Sequence, residues 1–447
     1  MKTKIFSDEQ ELVNHIKTQV PTFYFSSKTS TVIPYDKMEE YLSVGKDEKY
    51  FLGDLSQIPS QISLDENNYL VVRGAYTWKD AKAYLQSHGR NIMTSPTEEL
   101  ALTLAGAATS CTGERCFGFG NLRSQIVSIK YFNHQGKEIT LMADRDLPDF
   151  PGKAAYAHEF EHYKNFKNAP YPRFEKETDL MIGTEGQLGV ISEMTIKTTP
   201  LDAVQYYFLT LPRWEKDYQP HLEIFHKVQK LRGKILSCEF LDSNCFTYLP
   251  EDDRLGNEED VIFLEIRTEY FEDVYENFLK DLTHMTEDQM FSMTEKKFHE
   301  VRASVPRAVF EKNTHMGVIK MGTDVQVSGD DYRDLFDYYR QCSYAGVGYN
   351  LFGHFGDAHL HFNFMPLPQD VNHCAKYLTD LYIKVATWKG SPFAEHGIGL
   401  IKQKFIRNFW KPIHFEVFAE LKRKHDPKGQ FFPQGFMSLT SDQSYKG

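Results

Sequence analysis

Residues 183–200 read Gly-Thr-Glu-Gly-Gln-Leu-Gly-Val-Ile-Ser-Glu-Met-Thr-Ile-Lys-Thr-Thr-Pro, and no other stretch constrains the fold as strongly. Gly183, Gly186 and Gly189 stand three apart. Glycine tolerates positive φ and lets a backbone approach a ligand closely. From Val190 to Lys197 apolar and polar residues roughly alternate, the period of a half-buried strand, and Pro200 stops it. A tight glycine loop therefore feeds directly into a strand. Short glycine patterns are weak signals, so spacing alone equally fits a turn before a surface strand.

A chain of 447 residues is long enough for two or three cores. Its 41% apolar and 25% charged residues are those of an ordinary globular protein. The net charge of −11 argues against nucleic acid as a main partner, but a locally basic pocket still admits an anionic substrate. The six cysteines form no Cys-x-x-Cys pair and no close group of four. They read as scattered reduced thiols, not as an iron–sulfur or zinc site. Met1 to Gln10 is charged, and no apolar stretch approaches the length of a membrane span. The expectation is a cytoplasmic protein with no membrane span.

Periodicity places helices at 8–18 and 77–87, the second capped by Thr77 and stopped by Gly89. Thr22–Pro34 reads as interrupted strand, and residues 125–132 and 138–142 as a hairpin across His134-Gln135-Gly136. Residues 143–176 read as a long ordered loop. Strands and helices then alternate from Val204 to Trp388 with antiparallel pairings, an α+β pattern of helices over one sheet. Ile398–Lys424 reads as one long helix ending at Asp426-Pro427-Lys428-Gly429.

Four constellations could carry chemistry. Gly353–Asn363 holds three histidines. His359 and His361 share one strand face by alternation, and His354 can fold back over the Gly356-Asp357 turn. Imidazole is the commonest transition-metal ligand, so this is a metal site or a set of core histidines. Glu395-His396 precedes the C-terminal helical stretch and offers a ligand beside a base, or a carboxylate complementing a helix dipole. Arg302 and Lys320 are cations ahead of the histidine strands. Gly106–Gly120 is rich in glycine and small residues that let backbone amides face a pyrophosphate, or that simply pack.

The 183–200 segment, the histidine motif, Glu395-His396 and the closing run His425–Gly435 together resemble FAD-linked oxidases and dehydrogenases of the vanillyl-alcohol-oxidase (PCMH-type) superfamily. The D-lactate and D-2-hydroxyacid dehydrogenases are the nearest group in pattern. The resemblance runs from about Thr22 to Gly435. It implies an α+β chain with an FAD-binding PCMH-type domain at 1–200 and an α+β cap over 201–390 with an antiparallel sheet covered by helices. Residues 391–447 would return to the FAD domain. FAD would be bound noncovalently by Gly183, Glu185, Gly186, Gly189 and Val190, by Gly106, Ser110, Gly113, Gly120 and Arg123, and by Ser27, Lys28, Thr29 and Ser30. That last stretch departs from the pattern, because the family carries arginine and several glycines where this chain has Ser26-Ser27-Lys28-Thr29-Ser30.

The resemblance further implies that His354, His361 and Glu395 bind a divalent metal (zinc, manganese or iron) and that His396 is the base. Arg302, Lys320 and Asn363 would bind substrate. The implied reaction is FAD-dependent oxidation of a small anionic 2-hydroxy acid, such as D-lactate, glycolate or D-2-hydroxyglutarate, to the 2-oxo acid, with metal-assisted hydride transfer to flavin N5. A separate acceptor would reoxidise the flavin: an electron-transfer flavoprotein, a quinone or an iron–sulfur partner. A homodimer is compatible with this reading. Two alternatives stand beside it. One is an alkylglycerone-phosphate-synthase-like FAD transferase, disfavoured by the separated histidines; the other is a degenerate flavin-fold subunit, supported by the glycine-poor first loop.

Overall fold

The structure, a computed structural model, describes residues 2–42, 50–251, 254–255, 258–315, 317 and 321–441. The chain divides into two units: 1–112, 121–201 and 395–447 form the first, and 113–120 with 202–394 form the second. The boundaries at 201/202 and 394/395 differ slightly from the expected 200/201 and 390/391. The larger difference is residues 113–120, expected in the FAD-binding domain but part of the second unit.

In the first unit, Lys2–Ile5, Phe51–Asp54 and Thr22–Phe25 form a parallel three-stranded sheet, with Phe51–Asp54 in the middle. Only Thr22–Phe25 of the expected Thr22–Pro34 strand is extended in a ladder. A five-stranded antiparallel sheet runs in the order Gln61–Leu64, Leu70–Arg73, Val190–Ile196, Ile126–Phe132, Glu138–Met142. The strand entered from the Gly183–Gly189 loop is thus its centre. The expected hairpin is present across 133–137. The expected long loop contains a helix, Lys153–Phe160.

Residues 398–424 are not one helix. Gly399 has φ +53°, which no continuing helix accommodates, a 3₁₀ stretch follows at Gln403–Asn408, and the α-helix starts only at Pro412–His425. The C-terminal segment then pairs with the first sheet: Thr22 N–H donates to the Gln430 carbonyl (2.8 Å) and Phe432 N–H to the Thr22 carbonyl (3.1 Å).

The second unit is built on one eight-stranded antiparallel sheet. Its path is Met290–Met293, Val204–Leu211, Asp260–Arg267, Ile235–Leu241, Gly348–His354, His359–Met365, Met321–Gly322, and Val325–Gln326 also pairs with His359–Met365. Alternation sends Phe240 to one face and Glu239 and Leu241 to the other. On the Phe240 side lie helices Gln219–Val228 and Tyr332–Ser343, joined through the ring contacts His221–Phe240 and Phe225–Tyr332. The opposite face meets helix Glu295–His315, whose Phe298, Val301, Val305 and Val309 pack with Tyr206, Leu241, Phe263 and Phe352. Their three- and four-residue spacing is the apolar stripe of a core-facing helix.

Candidate functional site

The sheet register collects the histidines. His354 pairs with His359 and Phe352 with His361 across the hairpin, so all three imidazoles share the face that carries Glu239. All are buried. Their ligand nitrogens lie within 4.8 Å of one another, as do a carboxylate oxygen of Asp324 and a ring nitrogen of His361. The rings are differently held. His354 Nδ1 lies 2.8 Å from Glu239 Oε1, and His361 Nδ1 lies 2.9 Å from the Thr323 carbonyl. Both acceptors favour the tautomer with the proton on Nδ1, the kind of support found around metal-bound histidines. His359 is turned the other way, with Nε2 3.1 Å from Asp324 Oδ1. The donor set and its buried supports are of a kind that fits a divalent metal such as zinc, manganese or iron. Glu395 and His396 follow directly on Ala394, the end of the second unit.

Arg302 was expected to bind substrate. It projects from helix Glu295–His315, is buried, and has both arms of its guanidinium engaged. Nη2 lies 2.6 Å from Glu239 Oε2, and Nη1 bonds to Glu114 Oε2. Burial opposes the charge, but Glu239 and Glu114 outweigh it and hold the guanidinium above its ordinary range. The fork is spent on these carboxylates, so Arg302 orients Glu239, and Glu239 orients His354. Next to it, Arg115 grips the fully buried Glu265 through Nε (3.1 Å) and Nη2. Residues 113–120 thus deliver Glu114 and Arg115 to the sheet of the second unit, and Gly113 and Gly120 belong to this connection. Asn363 is buried and donates to Asn350 Oδ1 and to the His361 carbonyl, both at 3.1 Å. Lys320 lies outside the described residues.

The expected cofactor residues fall into three groups. Gly183 and Gly186 have φ +72° and +71°, and a Cβ added at Gly186 would have only the Gly189 carbonyl within 4 Å, at 3.7 Å. These two positions leave the open backbone that a flavin loop needs. Lys28 occupies the same left-handed region at φ +56°, so the glycine-poor first loop keeps a turn usually given to glycine. It lies beside Ser27, Thr29 and Ser30; Ser27 Oγ is 3.5 Å from Thr29 Oγ1, and Ser30 Oγ accepts from Val32 N–H at 3.4 Å. Such hydroxyls, an ammonium and this turn fit a phosphate-bearing cofactor.

A second group is closely engaged with neighbouring side chains. A Cβ at Gly106 would sit 2.8 Å from Cys111 Sγ and from the Trp78 ring. One at Gly189 would sit 2.5 Å from the Tyr131 ring. Val190 is the buried first residue of the central strand. Arg123 makes a two-armed bond to buried Asp179, 2.6 Å on each arm. Ser110 donates to Asn168 Oδ1 at 2.7 Å, and Asn168 Nδ2 donates back to its carbonyl at 2.8 Å.

Glu185 stands alone in the third group. Its carboxylate is turned onto the backbone of the C-terminal segment, with Oε1 2.6 Å from Ile398 N and Oε2 2.9 Å from Gly399 N. Burial pushes this carboxyl up to about 7, with the Ile398 and Gly399 amides pulling the other way.

Sequence reasoning missed Glu239, Asp324 and Glu114. Glu239 had a readable signal: it is the lone carboxylate in the apolar run Ile-Leu-Ser-Cys-Glu-Phe-Leu, and Glu265 is placed likewise in Val-Ile-Phe-Leu-Glu-Ile-Arg. A charge is retained inside a buried strand when something pairs with it.

Comparison with known proteins agrees with this architecture. Residues 41–142 match the family described as "FAD binding domain", and residues 216–434 match "FAD linked oxidases, C-terminal domain". The chain belongs to the FAD-linked oxidase family, in its PCMH-type form. It is 30% identical over 267 residues to the mitochondrial D-2-hydroxyglutarate dehydrogenase of Danio rerio, covering 57% of this chain and 49% of the relative. It is 21% identical over 382 residues to a D-lactate dehydrogenase of Archaeoglobus fulgidus, covering 84% and 78%. The chain thus spans about half the length of the D-2-hydroxyglutarate dehydrogenase it matches. Among solved structures an alkyldihydroxyacetonephosphate synthase shares the fold, with TM-score 0.68, 12% identity, and 97% and 76% of the two chains covered.

Proposed function

We propose that this chain is an FAD-dependent dehydrogenase of small 2-hydroxy acids, of D configuration, that also holds a divalent metal. The observation that carries this reading is the buried histidine group, in which His354 and His361 are each held at Nδ1, by Glu239 and by the Thr323 carbonyl. A core that needed only apolar filling would have no use for three imidazoles on one face. The relatives named D-2-hydroxyglutarate and D-lactate dehydrogenases supply the substrate class.

In this reading His354, His361 and Glu395 hold the metal, which when bound supplies a Lewis acid that lowers the pKa of the substrate hydroxyl. The Gly183–Gly186 turn and the Ser27–Ser30 turn hold FAD, which when bound supplies the acceptor for two electrons and the Cα hydrogen. His396 takes the hydroxyl proton on an imidazole nitrogen as the carbonyl forms. Glu239, tied down by Arg302, keeps the His354 ring from turning. Electrons leave to a separate acceptor.

The test uses purified protein reconstituted with FAD. Anaerobic D-lactate or D-2-hydroxyglutarate is expected to bleach the flavin band and the L forms to leave it, with the bleaching lost on chelation and in His361→Ala. Failure to take up FAD, or a flavin that no 2-hydroxy acid bleaches, overturns the reading.

A further inference from the structure

Glu185 lies in the glycine signature, where a cofactor contact was expected. Its geometry points elsewhere. The backbone around it is stitched to helix Thr103–Thr109: Gly183 N–H donates to the Ala107 carbonyl (3.2 Å) and Glu185 N–H to the Ala108 carbonyl (2.8 Å). With its amide spent and φ at +53°, the residue throws its side chain toward the Gly397-Ile398-Gly399 turn. Oε1 accepts from Ile398 N–H at 2.6 Å and from Gly399 N–H at 3.2 Å, and Oε2 accepts from Gly399 N–H at 2.9 Å. The turn is shaped to the carboxylate. Gly397 has φ +80°, and a Cβ there would fall 2.6 Å from Glu185 Oε1. Gly399 has φ +53°, and a Cβ there would fall 2.3 Å from the Val32 carbonyl. That same carbonyl accepts from Leu400 N–H (3.0 Å) and Ile401 N–H (3.2 Å).

The turn is therefore gripped on one side by Glu185 and on the other by Val32, and the residue entering it is His396. We propose that Glu185 is a positioning residue for His396. Its carboxylate fixes the Gly397–Gly399 turn, and with it the direction in which the imidazole leaves the chain. Two amides shared by one carboxylate resist rotation of the turn in a way that a single hydrogen bond does not. The glycine signature then serves two parts of the reaction, since its glycines shape the cofactor turn and its glutamate aims the base. This rests on the reading of His396 as the base.

The test compares wild type, Glu185→Gln and Glu185→Ala as full-length FAD-loaded protein by three measurements: flavin content, hydrogen exchange at the Ile398 and Gly399 amides, and anaerobic flavin reduction by D-2-hydroxy acid. Both variants are expected to keep FAD. Exchange at the two amides should rise about tenfold or more in the alanine variant. Its limiting reduction rate should fall about 10–100-fold with the half-saturating substrate concentration little changed, the mark of a misplaced catalytic group. The glutamine variant, which keeps one acceptor oxygen and guards against a folding failure in the alanine protein, should lie between. Loss of FAD with unchanged exchange would make Glu185 a cofactor residue and overturn the proposal. So would an unchanged reduction rate in Glu185→Ala. A wild-type flavin that no hydroxy acid reduces would sink the dehydrogenase reading instead, while amide exchange would still decide whether Glu185 tethers the turn.

Discussion

The guanidinium of Arg302 lies between Glu239 and Glu114, and the difference between anchoring a substrate and anchoring a neighbour is measurable. Removing one partner of a buried pair leaves uncompensated charge and costs about 3–5 kcal/mol. Arg302→Ala should lose stability on that scale in urea, with no substrate present. A variant of unchanged stability and raised KM would return Arg302 to the substrate. The sequence shows which residue types could act and conceals which partners they take. The histidine motif is legible because imidazoles at 354, 359 and 361 are rare enough to stand out on one hairpin. Glu114 is not, since it lies 188 residues from Arg302 and nothing local announces the meeting. The side-chain partners of Arg123 and Ser110 were hidden for the same reason, as Asp179 and Asn168 lie 56 and 58 residues away.

Among the elements, strands with clean alternation were legible, including the central strand Val190–Ile196 and the hairpin beside it. Helix Glu295–His315 escaped, because Pro306 sits inside it and its exposed face is strongly charged. The 398–424 stretch was overread, because apolar periodicity continues across a break that only Gly399 and Pro412 mark. That break has a pH signature. The helix Pro412–His425 begins with Lys411 N–H donating to His414 Nδ1 at 2.9 Å. Burial lowers the His414 imidazole to about 4. The unfolded chain takes up this proton below about 6.5 while the folded one resists until near 4, so stability is intact above the first value and falls toward the second. The loss at this residue is on the order of 2–3 kcal/mol. His414→Gln keeps an acceptor that does not titrate. Urea midpoints across pH 4–7 should therefore drop more steeply for wild type than for the variant, and parallel curves would refute the cap.

For the whole molecule, the α+β class holds, and the chain splits into two compact units, neither of them one continuous piece of chain. Residues 113–120 belong to the second unit and bring Arg115 to Glu265, a carboxylate with no exposure at all. A fragment of residues 202–394 would bury Glu265 without its cation, at about 3–5 kcal/mol out of a typical 5–15. It should fail to fold by circular dichroism. The same fragment with Glu265→Leu should recover helix and strand signal, and a stably folded unmodified fragment would contradict this account.

The bridge at Thr22 has a bearing on synthesis. Its partners, Gln430 and Phe432, leave the ribosome long after Thr22–Phe25. At ~5–20 residues per second, the roughly 400 residues between them take on the order of 20–80 s. Over that interval the second unit, complete at Ala394, can close, while the outer edge of Thr22–Phe25 waits unpaired in the nascent chain. Such an edge is a template for the wrong strand. The protein's exposure to misassembly is therefore greatest during translation, and it should respond to elongation speed and to chaperones that shield early strands.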